Sequence, residues 1–149
     1  MSPLPQSDLD RILDAVATME SSVERLVEKR DTVDRHTYLE DPDTRDIVER
    51  RFVKRIEAAI DICTVVVRHE VGAPPASNPE TMQLLVDIGV LDEQLGDTMA
   101  AAARFRNVLA HTYGDSIDHT VVYDALSDLD RFRTYLGAIR GYLETIGTL

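Results

Sequence analysis

From Asp8 onward, the apolar residues Leu9, Ile12, Leu13, Val16, Met19, Val23, Leu26 and Val27 recur at spacings of three and four. That is the period of one face of an α-helix. Ser7 precedes the run as a candidate N-cap, and the helix is expected to end near Arg30. The polar stretch from Asp31 to Asp43 reads as a linker, with Asp41-Pro42 as a turn signal. A second helix is expected from Asp43 or Thr44, with the stripe Val48, Phe52, Ile56, Ala59, Ile60, Cys63 and Val67. Glu49, Arg50, Arg51, Arg55 and Glu57 are assigned mostly to its opposite, polar face. The β-branched Thr64–Val67 stretch falls inside this 3.6-residue period, which argues against a strand. Gly72 and Pro74-Pro75 forbid continuation.

A short helix is expected over about Pro79 to Ile88, with Asn78 as cap, Pro79 in its first position and Gly89 closing it. Asp92 opens another, striped by Leu91, Leu95, Thr98, Ala102 and Leu109 and ending near Gly114. The last is expected to run unbroken from about His119 to Ile146. These elements predict an all-α, up-and-down bundle of four long helices and one short one. It forms one domain over residues 1–149, with a core of about 8–147 and a flexible N-terminus, 1–7.

Composition narrows the class. A chain of 149 residues, 44% hydrophobic, can bury a sizeable core. No apolar run approaches the roughly 20 residues that span a bilayer. The N-terminus carries no secretory pattern, so a cytoplasmic protein is expected. Cys63 is the one cysteine, which excludes an intrachain disulfide and a multi-thiolate zinc site. No ligand spacing points to a metal, and no glycine-rich phosphate loop is present, so no cofactor is expected.

The charge changes the picture further. There are 27 acids and 16 bases, a net −11. Only Lys29 and Lys54 are lysines; the remaining bases are arginines. Such a surface repels nucleic-acid phosphate at long range and suits high salt, where repulsion is screened within a few ångströms. A salt-adapted, halophilic source is expected. Any nucleic-acid contact must come from a local arginine cluster.

The segment Arg104-Phe105-Arg106-Asn107-Val108-Leu109-Ala110-His111-Thr112-Tyr113-Gly114 concentrates the candidate chemistry. Arg106 sits at the margin of the apolar face. Arginine there either meets a carboxylate on another helix, snorkels outward, or grips an anion. His111 is about 140° further round an ideal helix, and converges with Arg106 only if the helix tightens or stops nearby. Asn107 and His111 share a face at i and i+4 and can hydrogen-bond. Near a helix C-terminus the charged imidazole is favoured. His36, His69 and His119 are scattered; His119 reads as an N-cap neighbour.

Together, Arg106-Asn107-Val108-Leu109-Ala110-His111 resembles the Arg-x4-6-His motif of the HEPN superfamily. With Thr112-Tyr113 it resembles the Arg-x4-His-x-Tyr signature of the HepT toxin branch. Val48–Phe52, Ala58–Cys63, the Gly72–Pro75 break, the Leu91–Met99 lead-in and Ile117-Asp118 are similar to that branch too, over roughly residues 8–145. The resemblance implies an all-helical homodimer whose motif residues face one cleft. It also implies the toxin of a type VII toxin–antitoxin system, a metal-independent endoribonuclease with Arg106 and His111 catalytic and Asn107 and Tyr113 supporting. The partner it implies is an MntA-type minimal nucleotidyltransferase antitoxin, which silences the toxin by AMPylation of Tyr113.

The chemistry is consistent with those roles. Histidine titrates near neutrality and transfers protons; the arginine fork matches two phosphate oxygens. One His111 per chain does not readily act as acid and base together, so a two-fold axis that brings a second copy is expected. Arg50, Arg51 and Arg104 are candidates to extend an RNA-binding surface. The rival readings are a non-catalytic binding subunit of a minimal nucleotidyltransferase, and a structural bundle carrying the motif by coincidence.

Overall fold

The computed structural model describes residues 2–72, 79–111 and 117–148. Among these residues it contains seven helices and no strand: α1 (Gln6–Thr32), α2 (Arg35–Glu40), α3 (Pro42–Val71), α4 (Thr81–Asp87), α5 (Glu93–His111), α6 (His119–Ala125) and α7 (Asp130–Thr145).

The central element is α3. Its start follows from Asp41, whose carboxylate accepts from the amides of Asp43 (3.1 Å) and Thr44 (3.4 Å) and from the Thr44 hydroxyl (2.8 Å), satisfying donors that a helix leaves unpaired at its N-terminus. Its end follows from Gly72, whose φ of 84° is the left-handed conformation that closes a helix. Helix α1 packs along α3 in the opposite direction, so that Arg68 near the end of α3 reaches Asp8 near the start of α1 (3.3 Å). Helix α5 also runs against α3, with Arg106 opposite Glu57 and Ala103 near Ile60 and Asp61. Helix α7 runs alongside α3: Tyr135 donates its hydroxyl to the Ala59 carbonyl (2.7 Å), and Tyr142 to Glu70 (2.6 Å). The four long helices therefore alternate in direction, which is the expected up-and-down arrangement.

Two apolar cores divide the interior. The larger is built by Ile12, Met19, Ile56, Ile62, Val66, Leu85, Met99, Phe132, Tyr135 and Ile139, with others. The smaller gathers Leu26, Tyr38, Val48, Phe52, Leu109, Val122, Leu126 and Leu129 at the end of the bundle where α5 finishes. Phe105 packs against both and meets Phe52 edge-on, with ring centroids 5.4 Å apart. Leu4 is buried, and its amide donates to the Thr148 hydroxyl (3.2 Å), joining the two ends of the chain.

Four expectations change. Ser7 does not cap α1; it lies inside the first turn, and Pro5 stands at the cap. The polar stretch after α1 is not a bare linker. It holds α2, capped by Asp34 through the Thr37 amide (2.7 Å), because Tyr38 is drawn fully into the smaller core. The last helix is not continuous. The amides of Leu126, Ser127 and Asp128 each bond the carbonyl three residues back, so α6 tightens and stops before α7 begins. Ser127-Asp128 supplies the turn chemistry, and around the break the chain passes from the smaller core, which holds Leu126 and Leu129, to the larger one, which holds Phe132. Arg55 does not lie on the polar face of α3; it is fully buried. Position 55 falls three after Phe52 and four before Ala59, on the apolar stripe itself. The predicted cap Asn78 and stop Gly114 lie outside the described residues.

Candidate functional site

Helix α5 carries the Arg-x4-His pair. Asp92 accepts from the Leu95 amide (2.7 Å) and starts the helix as expected. Leu95, Met99, Ala102 and Leu109 are buried, which rotates position 106 to the edge of the packed face. Small residues from Ala100 to Ala103 let α5 approach its neighbours closely, so the Arg106 side chain crosses to α3.

There its guanidinium makes two hydrogen bonds. Nη2 donates to Glu57 Oε1 at 2.8 Å, and Nη1 to Asn107 Oδ1 at 3.0 Å. Nε is buried and has no partner. The Arg106 side chain is 26% exposed and that of Glu57 46%. Both line a cleft of about 300 Å³ with Asn107, Asp61, Ala103 and Pro79. Burial by its neighbours holds the Asp61 carboxyl above the usual aspartate range; Arg11 opposes this and Glu57 adds to it. The cleft thus presents one guanidinium, one carboxamide and two carboxylates.

His111 is the last residue of α5 and is exposed. It does not line the Arg106 cleft. The hydrogen bond that Asn107 and His111 could make is not present; the Asn107 oxygen accepts from Arg106. Tyr113 lies outside the described residues. Of the arginines expected to widen the surface, Arg50 lines an adjoining hollow with Lys54, Glu49, Glu57 and Leu109. Arg104 is exposed and Arg51 half-buried, and neither lines these two hollows.

A second polar pair stands nearby. His119 Nδ1 lies 3.3 Å from Glu49 Oε1, both side chains mostly buried. Burial pushes the Glu49 carboxyl up, and His119 pulls it back. His119 follows Asp118, the cap of α6, as expected. Glu57, Asp61 and Glu49 were not singled out from the sequence. Each is one acid among many on α3, and only the packing of α5 and α6 against α3 shows that Glu57 meets Arg106, that Asp61 lines the same cleft and that Glu49 meets His119. Among the described residues no cluster of three or more histidine, cysteine or acidic side chains is placed to hold a metal ion, and no helix is long and apolar enough to cross a membrane.

The family model described as ribonuclease HepT-like matches residues 19–139. No curated protein sequence matches the chain. Among solved structures, the fold is similar to a tri-AMPylated Shewanella oneidensis HEPN toxin in complex with MNT antitoxin. The TM-score is 0.77 at 22% identity, over 89% of this chain and 98% of that one. It is similar to a toxin–antitoxin complex with AMP-PNP, with a TM-score of 0.78, 22% identity and the same coverage. It is also similar to YutE, a cytosolic protein of unknown function from Bacillus subtilis, with a TM-score of 0.78 and 18% identity, over 100% of this chain and 97% of that one.

Proposed function

Since the chain belongs to the HepT-like ribonuclease family, we propose that it is the toxin of a type VII toxin–antitoxin pair, a cytoplasmic endoribonuclease working without metal. The observation that carries this reading is the Arg-x4-His pair at the end of α5, with Arg106 turned into a cleft and His111 exposed at the helix terminus.

In this reading the Arg106 guanidinium holds two oxygens of the scissile phosphate. A histidine takes the proton from the 2′-hydroxyl, whose oxygen attacks phosphorus. The bond from phosphorus to the 5′-oxygen breaks, and that oxygen leaves with a proton from a second acid. The products are a 2′,3′-cyclic phosphate and a 5′-hydroxyl. Two proton transfers in one event call for two imidazoles, and a homodimer supplies the second His111. Asn107 steadies Arg106 from its own helix. Arg50, Arg51 and Arg104 contact flanking phosphates.

The solved Shewanella oneidensis relative is a tri-AMPylated toxin held by an MNT antitoxin. By analogy, a nucleotidyltransferase of the MntA type silences this chain at Tyr113. The phenolic oxygen attacks the α-phosphorus of ATP, pyrophosphate leaves, and the phenolic proton goes to base. The added AMP brings bulk and negative charge to the Arg-x4-His-x-Tyr segment.

One observation favours a second reading. Glu57 already occupies part of the Arg106 guanidinium, as in a chain that serves only as binding subunit of the nucleotidyltransferase. The deciding experiment is RNA cleavage in EDTA by unmodified wild type and His111→Ala across a salt series, after intact mass has established that Tyr113 is free. Cleavage by wild type alone supports the nuclease. Absence of cleavage by an unmodified dimer on total RNA, at every salt concentration, moves the assignment to the binding subunit.

A further inference from the structure

Glu57 of α3 touches the motif from outside it. Its contact with Arg106 is short, 2.8 Å, yet monodentate: Oε1 alone accepts, from Nη2. Asn107 takes a hydrogen from Nη1 on the other side. Two acceptors on two different nitrogens define the plane of a guanidinium, which is rigid and delocalised. The four hydrogens on the terminal nitrogens are thereby half used. One on each nitrogen stays available to the cleft that Arg106 lines, while Nε is buried and out of reach. A partly exposed ion pair of this kind contributes little to stability, so holding the fold together is not a sufficient reason for it.

We propose that Glu57 is a positioning residue for Arg106: its carboxylate orients the guanidinium so that the two remaining terminal N–H groups meet a phosphate. The proposal rests on the ribonuclease reading above. It carries an electrostatic cost. The Glu57 charge sits beside the incoming phosphate, and Asp61, one turn further along α3, lines the same cleft. Geometry and charge therefore act in opposite directions, and two substitutions separate them. Glutamine keeps an acceptor oxygen and drops the charge; alanine removes both.

The test uses the full-length, unmodified dimer and steady-state cleavage of an RNA oligonucleotide, with Arg106→Ala alongside. Glu57→Ala is expected to lower kcat by about tenfold or more. Glu57→Gln is expected to keep kcat within about twofold and to lower KM, because an acceptor remains and a repulsive charge is gone. A readout independent of turnover is the NMR signal of the Arg106 Nε–Hε group, assigned by its loss in Arg106→Lys. It should move in Glu57→Ala and stay in Glu57→Gln. Wild-type kcat and KM in both variants with an unmoved signal overturn the proposal, as does an equal loss of kcat in both. Where Glu57→Ala melts early, Glu57→Asp takes its place: the carboxylate draws back by one methylene, and kcat should fall at unchanged Tm. If wild type itself does not cleave RNA, the ribonuclease reading fails and the NMR comparison alone decides the positioning claim.

Discussion

The guanidinium carbon of Arg55 lies 3.7 Å from the centroid of the Phe132 ring. This contact ties α3 to α7 without a salt bridge. Nη2 donates to the Leu129 carbonyl at 3.1 Å, while Nε and Nη1 are buried with no partner. Burial lowers the pKa of Arg55, and the charges of Arg131 and Arg133 lower it further. A depressed pKa on a basic group means that folding disfavours its charged form. Arg55 is thus a buried cation compensated by one carbonyl and one aromatic face. Arg55→Met keeps most of the volume and removes the desolvation penalty, so it should leave Tm unchanged or raised. Arg55→Ala should cost roughly 3 kcal/mol through the cavity it opens. Urea unfolding at neutral pH checks both. A large loss in the methionine variant would show that the cation–π and carbonyl contacts outweigh desolvation.

Gly96 of α5 faces α4. A Cβ placed there would stand 2.2 Å from Val86 Cγ2. Alanine would gain about 1 kcal/mol of helix propensity, but the β-branched Val86 must move, at a cost of about 1–3 kcal/mol. Gly96→Ala should therefore be destabilising by about 1 kcal/mol, and Gly96→Ala with Val86→Ala should relieve the clash. A double-mutant cycle in urea reads the coupling.

Acid should loosen the start of α3. Three hydrogen bonds from the Thr44 hydroxyl and from the Thr44 and Asp43 amides hold the Asp41 carboxyl below the usual aspartate range. A carboxylate with a lower pKa folded than unfolded binds fewer protons when folded. Its stabilising contribution is therefore present above the unfolded value and is lost as pH falls through the folded one. Asp41→Ala should lower Tm at pH 7, and the difference from wild type should vanish well below about pH 4. A difference that persists at the lowest pH where the protein still melts cooperatively would show that the cap acts through something other than its charge.

RNA binding should follow exposure among the arginines. Arg50 is exposed and lines the hollow beside Leu109, Arg104 is exposed, and Arg51 is half-buried. In a His111→Ala background that prevents cleavage, Arg50→Ala and Arg104→Ala should each weaken binding across sequences. Each should also reduce the slope of log affinity against log salt by about 0.7, the value for one single-strand phosphate contact. Arg51→Ala should do less. Fluorescence anisotropy over a salt series measures this. An unchanged slope in Arg50→Ala and Arg104→Ala would remove them from the interface.

What the sequence by itself determined was local. Apolar spacing marked all four long helices, and Gly72, Asp92 and the Asp41-Pro42 turn marked ends, because periodicity and capping depend on residues within a turn or two of each other. The Arg106–His111 pair was visible for the same reason: both members sit on one short segment of one helix. The tertiary structure decided everything that depends on which helix faces which. It drew Tyr38 inward and so turned an apparent linker into α2. It broke the last helix where the chain passes from the smaller core at Leu129 to the larger one at Phe132. It supplied the Phe132 ring and the Leu129 carbonyl as partners of Arg55, whose place on the apolar stripe the spacing from Phe52 and Ala59 already held. It also selected Glu57, among the many acids of α3, to meet Arg106. No short-range pattern encodes these outcomes, because the antiparallel register of α5 on α3 is set by the packing of two separate apolar faces.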